Sequence, residues 1–158
     1  MAEVVSGKSR KRMSFTITET EEGVDKVATV TINEAVTSAN GTDAGDVDLL
    51  YRDQGTLSAE TPVDFDLDSG LASPLGDSQT FVEVVEIYVE NTGATNDMDI
   101  KGDFLGLSTD HVNVPPGGHH LFYFGTVGEA VTATDKDVIT LESTSGTTYD
   151  LIITGRSA

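Results

Sequence analysis

Hydrophobic and polar residues alternate with a period of two along most of this chain, the spacing of half-buried β-strands. Phe15 and Ile17 alternate with Thr16 and Thr18. Val27, Thr29 and Thr31 alternate with Ala28, Val30 and Ile32, and an acidic turn containing Gly23 separates the two runs. Glu34 to Val36 either adds a helical turn or leaves the sheet, and residues 37–46 have loop composition, with Asn40-Gly41 a candidate hairpin turn. Val47 to Arg52 follows, with Leu49 and Tyr51 on one face and Leu50 on the other. Val63, Phe65 and Leu67 then predict an inward face and Asp64, Asp66 and Asp68 an outward one. Residues 69–80 form a loop by their Gly and Pro content.

The longest β signal is Phe81 to Glu90. Val85, Ile87 and Val89 are expected on one face and Glu86, Tyr88 and Glu90 on the other; Glu83 breaks the phase, which a β-bulge near Val84-Val85 repairs. Further strands are expected around Met98–Phe104, Val112–Val114, Leu121–Phe124, Val131–Thr134, Val138–Glu142 and Thr148–Thr154. Residues 91–96, 105–110 and 143–146 separate them as turns and loops. Leu121-Phe122-Tyr123-Phe124, delivered by a Pro115-Pro116-Gly117-Gly118 turn, is apolar on both faces. Such a strand is covered on both sides or crosses between sheets. About ten short strands without helical periodicity predict an all-β fold: an antiparallel β-sandwich, jelly-roll-like, preceded by a flexible basic arm. The arm spans residues 1–13 and a single sandwich domain spans 14–158.

Charge sharpens that division. The chain has 27 acidic and 9 basic residues. Residues 1–12 hold Lys8, Arg10, Lys11 and Arg12 against Glu3, a net +3, which leaves −21 on the rest. An acidic body repels phosphate backbones and anionic membrane faces, so neither nucleic acid nor membrane is an expected partner. The four cations are either a solvated terminus or an arm that orders against a neighbouring acidic surface. No apolar run follows them, so no secretory signal is predicted, and no run is long enough to span a membrane. With no Cys, thiolate metal sites, disulfides and Cys nucleophiles are excluded.

Candidate chemistry is sparse. Asp64 to Gly70 resembles the start of a calcium loop, but position 6 is Ser69 and position 12 is Leu75, where an EF-hand needs Gly and Glu. Asp43, Asp46 and Asp48 share a glycine-bearing loop, a weak oxygen-ligand pattern. His119 and His120 are adjacent and so face opposite ways in a strand; His111 could meet one of them across the Pro-Pro-Gly-Gly turn, but two nitrogens do not make a zinc site. There is no nucleophile elbow, Walker loop or dinucleotide-binding glycine motif. No catalytic residue, metal site or cofactor is therefore assigned, and an enzyme is not expected. Tyr51, Tyr88, Tyr123 and Tyr149 fall on strands, where packing is their ordinary role.

One resemblance adds to this. Asp66-Leu67 leading to Pro74-Leu75-Gly76, Phe81 with Val84, Tyr88-Val89-Glu90-Asn91-Thr92, Val114-Pro115-Pro116-Gly117-Gly118, Val131-Thr132-Ala133, and Thr148 to Gly155 with Ser157-Ala158 follow in order. Together, over about residues 45–158, they resemble small structural proteins of the head region of tailed bacteriophages. The resemblance implies a non-enzymatic capsid decoration (cement) protein on the outside of an icosahedral head, bridging neighbouring capsid subunits. It implies the major capsid protein as partner, self-association with a trimer favoured, and a virion location after assembly in the host cytoplasm. Residues 1–44 depart from the pattern. Within this reading Lys8, Arg10, Lys11 and Arg12 are the expected capsid-contact residues. The alternatives are a tail or head–tail connector component and a receptor- or sugar-binding sandwich.

Overall fold

The computed structural model describes residues 7–21, 24–73, 76 and 78–157, the first two strands as backbone. The chain is all-β, and among the described residues no helix is long and apolar enough to cross a membrane. Strands β1 (Gly7–Glu21) and β2 (Val24–Ser38) pair with each other as a two-stranded antiparallel sheet. Then follow β3 (Leu49–Leu57), β4 (Val63–Asp66), the two-residue strands β5 (Leu71–Ala72) and β6 (Ser78–Gln79), β7 (Glu83–Asn91), β8 (Met98–Gly102) and β9 (Leu107–Val114). The chain closes with β10 (His119–Tyr123), β11 (Glu129–Ala130), β12 (Val138–Glu142) and β13 (Thr147–Arg156).

Two antiparallel sheets form the body. One has the order β10-β7-β13-β3, with β11 also paired to β7; the other has the order β4-β12-β8-β9. Their inner faces share one core, consistent with a β-sandwich. Val84, Ile87, Val89, Tyr149, Leu151 and Ile153 come from the first sheet, and Phe65, Met98, Ile100, Ile139 and Leu141 from the second. The alternation predicts these faces because successive side chains of a strand leave on opposite sides. Val63, Phe65 and Leu67 do turn inward, and Leu49 and Tyr51 pack on the core while Leu50 does not.

The bulge also occurs. The register of β13 against β7 slips between Thr154 and Gly155, whose partners are Glu86 and Val84. Val85 is the extra residue. This corrects the expected face: Val84, not Val85, joins Ile87 and Val89 in the main core, because the bulge shifts the alternation, and Val85 packs with Val47 and Leu50 in a second small cluster.

Several expectations are corrected. Of the arm expected over residues 1–13, residues 1–6 lie outside the described residues, and 7–13 belong to β1, hydrogen-bonded in register to β2. Glu34 to Val36 continues β2, neither a helical turn nor an exit from the sheet. Asn40-Gly41 makes no primed hairpin turn, since neither residue has positive φ; Asn40 instead bridges Val47 in parallel. Part of the loop expected at 105–110 is strand β9, and β5 and β6 pair within the stretch 69–80. The edge strand expected at 131–134 does not form: Thr132 bridges Lys136 around a turn, and the two-residue strand β11 precedes it. These short or polar strands lack alternation, so long-range pairing alone defines them.

The Pro115–Gly118 turn does not make a hairpin. It carries the chain from β9 in one sheet to β10 in the other. The Gly118 amide donates to the Pro115 carbonyl at 2.8 Å and Gly117 has φ +69°. Pro at the second position and a positive-φ Gly at the third are what a type II turn requires. The turn is seated on β7: the Gly117 amide donates to the Asn91 carbonyl, and the Asn91 amide to the Gly118 carbonyl, each at 2.9 Å.

The Asn91 side chain completes the joint. It is fully buried. Its Nδ2 donates to the carbonyls of Asn96 (2.8 Å) and Val114 (2.9 Å), and its Oδ1 accepts from the Gly93 amide (3.1 Å) and the Thr147 hydroxyl (2.8 Å). Both donors and both acceptor sites of the amide are used. Replacing Asn91 with Ala should cost about 2–4 kcal/mol, because four partners lose their mate at once, two of them in buried bonds. Chemical denaturation should show a lowered midpoint; an unchanged midpoint would contradict this role.

Candidate interaction surfaces

Among the described residues no cluster of three or more His, Asp or Glu able to hold an ion is present. The carboxylates singled out by sequence are used locally. Asp66 accepts from the amides of Asp68 and Ser69, both at 3.0 Å, and from the Ser69 hydroxyl, forming a turn at the end of β4. Asp64 accepts from Thr140 at 2.7 Å on the neighbouring strand. Asp48 accepts from the Ser157 amide at 2.8 Å and from its hydroxyl, holding the C-terminal segment. The Asp46 amide closes a turn on the Asp43 carbonyl.

The histidines separate. His111 lies on β9, 3.9 Å from Asp99. His119 and His120 lie on β10 in the other sheet, so His111 does not face them across a hairpin. His119 stacks on Tyr88 with centroids 5.6 Å apart, while His120 sits 4.4 Å from the Phe122 ring. Successive strand positions put the two on opposite faces, as the alternation predicts.

The four expected contact cations lie on β1, opposite Thr37 (Lys8), Ala35 (Arg10), Glu34 (Lys11) and Asn33 (Arg12) on β2. Lys8, Arg10 and Arg12 are positions of one parity and Lys11 of the other. They share one strand end.

A second feature is an open cleft of about 620 Å³ at one end of the body, between residues 56–59, 92–95 and 145–148. Its lining is Ser, Thr, Gly, Ala and one Leu. It offers hydroxyl and main-chain hydrogen bonds but no ionisable group for proton transfer and no aromatic ring for stacking.

The outer faces of the two body sheets differ sharply. That of the four-stranded sheet is polar throughout its centre. Lys101 pairs with Glu142, Asn113 donates to Asp99 at 2.9 Å, and Thr140 and Asp64 are joined. The outer face of the larger sheet is apolar at its centre. Register places Leu121, Tyr88, Ile152 and Arg52 in one row across β10, β7, β13 and β3, and Tyr123, Glu86, Thr154 and Leu50 in the next. Leu121 is 38% and Tyr123 43% exposed. Beside them lies a polar row of His119, Glu90, Asp150 and Gln54, in which Asp150 accepts from Arg52 (3.1 and 2.7 Å) and Gln54 (3.0 Å). Leu121 and Tyr123 thus stand outside the core; only Phe122 and Phe124 of the doubly apolar run pack on it. Sequence reading assigned this run to the core, and its apolar character on both faces was the available signal for a surface.

One buried cation anchors the far end of this face. Arg156 is 2% exposed. Its Nε donates to Glu83 at 2.7 Å, Nη1 to the carbonyls of Asp46 and Thr126 at 3.1 Å each, and Nη2 to the Val127 carbonyl. The guanidinium fork thereby ties β13 to the 40–47 and 125–128 loops, which flank the Val47–Val85 cluster. No family model, no curated protein and no solved structure matches this chain.

The tyrosines carry the clearest electrostatic signature. Burial, then the nearby Asp53 charge, pushes Tyr51 up to about 12. Burial, then the 2.8 Å hydrogen bond to Glu90, pushes Tyr88 to about 12. Tyr149 is raised by burial and by its 2.5 Å hydrogen bond to Asp53. A raised acid pKa means that the folded state holds its proton where the unfolded state has lost it. The associated stability is full below pH 10 and is lost as pH rises toward 12. Tyrosinate absorbance should lag in the folded chain relative to the denatured one, and denaturation midpoints should fall across this window. Titration of Tyr51, Tyr88 and Tyr149 at the unfolded value would refute the assignment.

Proposed function

We propose that this chain is a non-enzymatic virion structural protein that decorates and stabilises the outside of an icosahedral phage capsid by bridging neighbouring capsid subunits. The observation that carries this reading is the strand order of the body. Eight of its strands have four or more residues. Numbered along the chain from β3 to β13, they run sixth, third, eighth, first in one sheet and second, seventh, fourth, fifth in the other. We read this order as a jelly roll, an architecture used by viral capsid and lectin domains. Fold alone leaves function open, and the head-region resemblance over about residues 45–158 chooses between those uses.

Other features support the reading. The body is strongly acidic, which suits a solvated exterior and disfavours nucleic acid and membrane as partners. The cleft among residues 56–59, 92–95 and 145–148 has no ionisable or aromatic group, which favours a structural role over catalysis or sugar stacking. Lys8, Arg10, Lys11 and Arg12 stand on a hairpin outside both body sheets, where they can meet the major capsid protein. Self-association as a trimer would match the local three-fold positions of an icosahedral shell.

Purified virions should contain the chain at the outer surface in numbers set by the shell lattice, not by a single ring. Replacing Lys8, Arg10, Lys11 and Arg12 with Ser should weaken binding to expanded heads roughly tenfold or more at low salt, with less effect at high salt. Virions lacking the chain altogether would end this reading, and ring-scale copy number would assign it to a connector.

A further inference from the structure

We propose that the outer face of the five-stranded sheet is an interface between copies of this chain, and that its occupant is the β1–β2 hairpin of a neighbouring copy. The inference does not rest on the capsid reading.

Two surfaces of this chain are apolar by sequence and register. The first is the sheet face around Leu121, Tyr88 and Ile152, flanked by Tyr123 and Leu50. An apolar, aromatic centre within a polar rim is the composition of a protein–protein interface core. The other outer face of the same sandwich carries ion pairs and hydrogen-bonded polar ladders instead, so the contrast lies within one molecule.

The second surface is on the hairpin. Its register sets Met13 opposite Ile32, Phe15 opposite Val30 and Ile17 opposite Ala28. These six positions share one parity, and Ser9–Val36 continues it. The other parity holds Ser14–Thr31, Thr16–Thr29 and the cations Lys8, Arg10 and Arg12. The ribbon is amphipathic by sequence and register. A two-stranded hairpin alone is marginal in water and needs a packing partner. Among the described residues, β1 and β2 make their extensive contacts only with each other.

Connectivity and charge bring the two surfaces together. The hairpin leads into residues 39–48, which are fastened at the Val85 end of this same sheet. The Asp48 amide bonds the Gly155 carbonyl at 3.1 Å, the Gly45 amide bonds Thr126 at 2.8 Å, and Val47 packs on Val85. A hairpin of fifteen-residue strands is about 50 Å long, enough to reach from that root to the next molecule. Of its cations Lys11, opposite Glu34, shares the face of Met13 and Phe15, and the rows that flank the apolar centre carry Glu86, Glu90 and Asp150. Exchange around a closed ring would cover every ribbon and every face, leaving none unmatched. Lys8, Arg10 and Arg12, on the opposite parity, would remain outside this contact.

The absence of Cys makes a clean test. Single-site variants Phe15→Cys and Leu121→Cys of the full chain are purified, mixed, dissociated, reassociated and oxidised. The expected result is a covalent heterodimer of the two variants, and a ladder of linked chains from the double variant. Leu121→Asp should weaken self-association at least about 30-fold by light scattering, while the far-ultraviolet spectrum stays that of the folded sandwich. Internal cross-linking of the double variant as a monomer would overturn the proposal in favour of the chain's own hairpin. A monomeric full chain with a freely alkylated Leu121→Cys thiol would overturn it as well, leaving the face to a different partner.

Discussion

The buried amide of Asn91 is the constraint on which the rest of the sandwich depends. The chain passes repeatedly from one sheet to the other, and each crossing exposes main-chain groups that no ladder satisfies. Asn91 answers this at the end of β7. Its side chain bonds the Val114 carbonyl at the end of the opposite sheet, the Asn96 carbonyl in the β7–β8 turn, and Thr147 at the start of β13. Its main chain holds the Pro115–Gly118 crossover. The neighbouring Gly93 is equally constrained: a Cβ there would lie 1.9 Å from the Thr147 hydroxyl oxygen.

Arg156 plays the corresponding part at the other end of the larger sheet. A guanidinium can be buried only when its donors are satisfied, and here carbonyls from two loops and the Glu83 carboxylate meet it. Gly128 leaves room for that group, since a Cβ there would stand 2.9 Å from Nη2. Between these two anchors the register of the larger sheet sets Leu121, Tyr88 and Ile152 in one row, with Tyr123 in the next. The core sets the position of the sheet, and the two polar anchors set the loops around its outer face.

The same division separates the two outer faces. On the smaller sheet the pairs Lys101–Glu142, Asn113–Asp99 and Thr140–Asp64 join charged or hydrogen-bonding neighbours across the ladder, which suits that face to water. On the larger sheet the ladder supplies only the rim: Tyr88 bonds Glu90, and Arg52 and Gln54 hold Asp150. A molecule with one finished face and one unfinished face is suited to assembly through the latter.

Local alternation by itself determined which residues enter the core. Val63, Phe65, Leu67, Ile87, Val89, Leu151 and Ile153 are legible because strand side chains alternate with a period of two whatever the strand's neighbours. The bulge beside Val84-Val85 is legible for the same reason, as a break in that period. Pairing is not legible this way. Only the tertiary structure decided that β9 and β10 belong to different sheets, that the cations Lys8 to Arg12 stand on a strand paired to β2, and that polar β9 is a strand at all. These depend on contacts between residues far apart in the chain, which leave no periodic trace. The run Leu121–Phe124 shows the boundary between the two. Its sequence declares both faces apolar; the topology, by putting it on the edge of a sheet with nothing from the body over its outer side, turns half of that signal from core into surface.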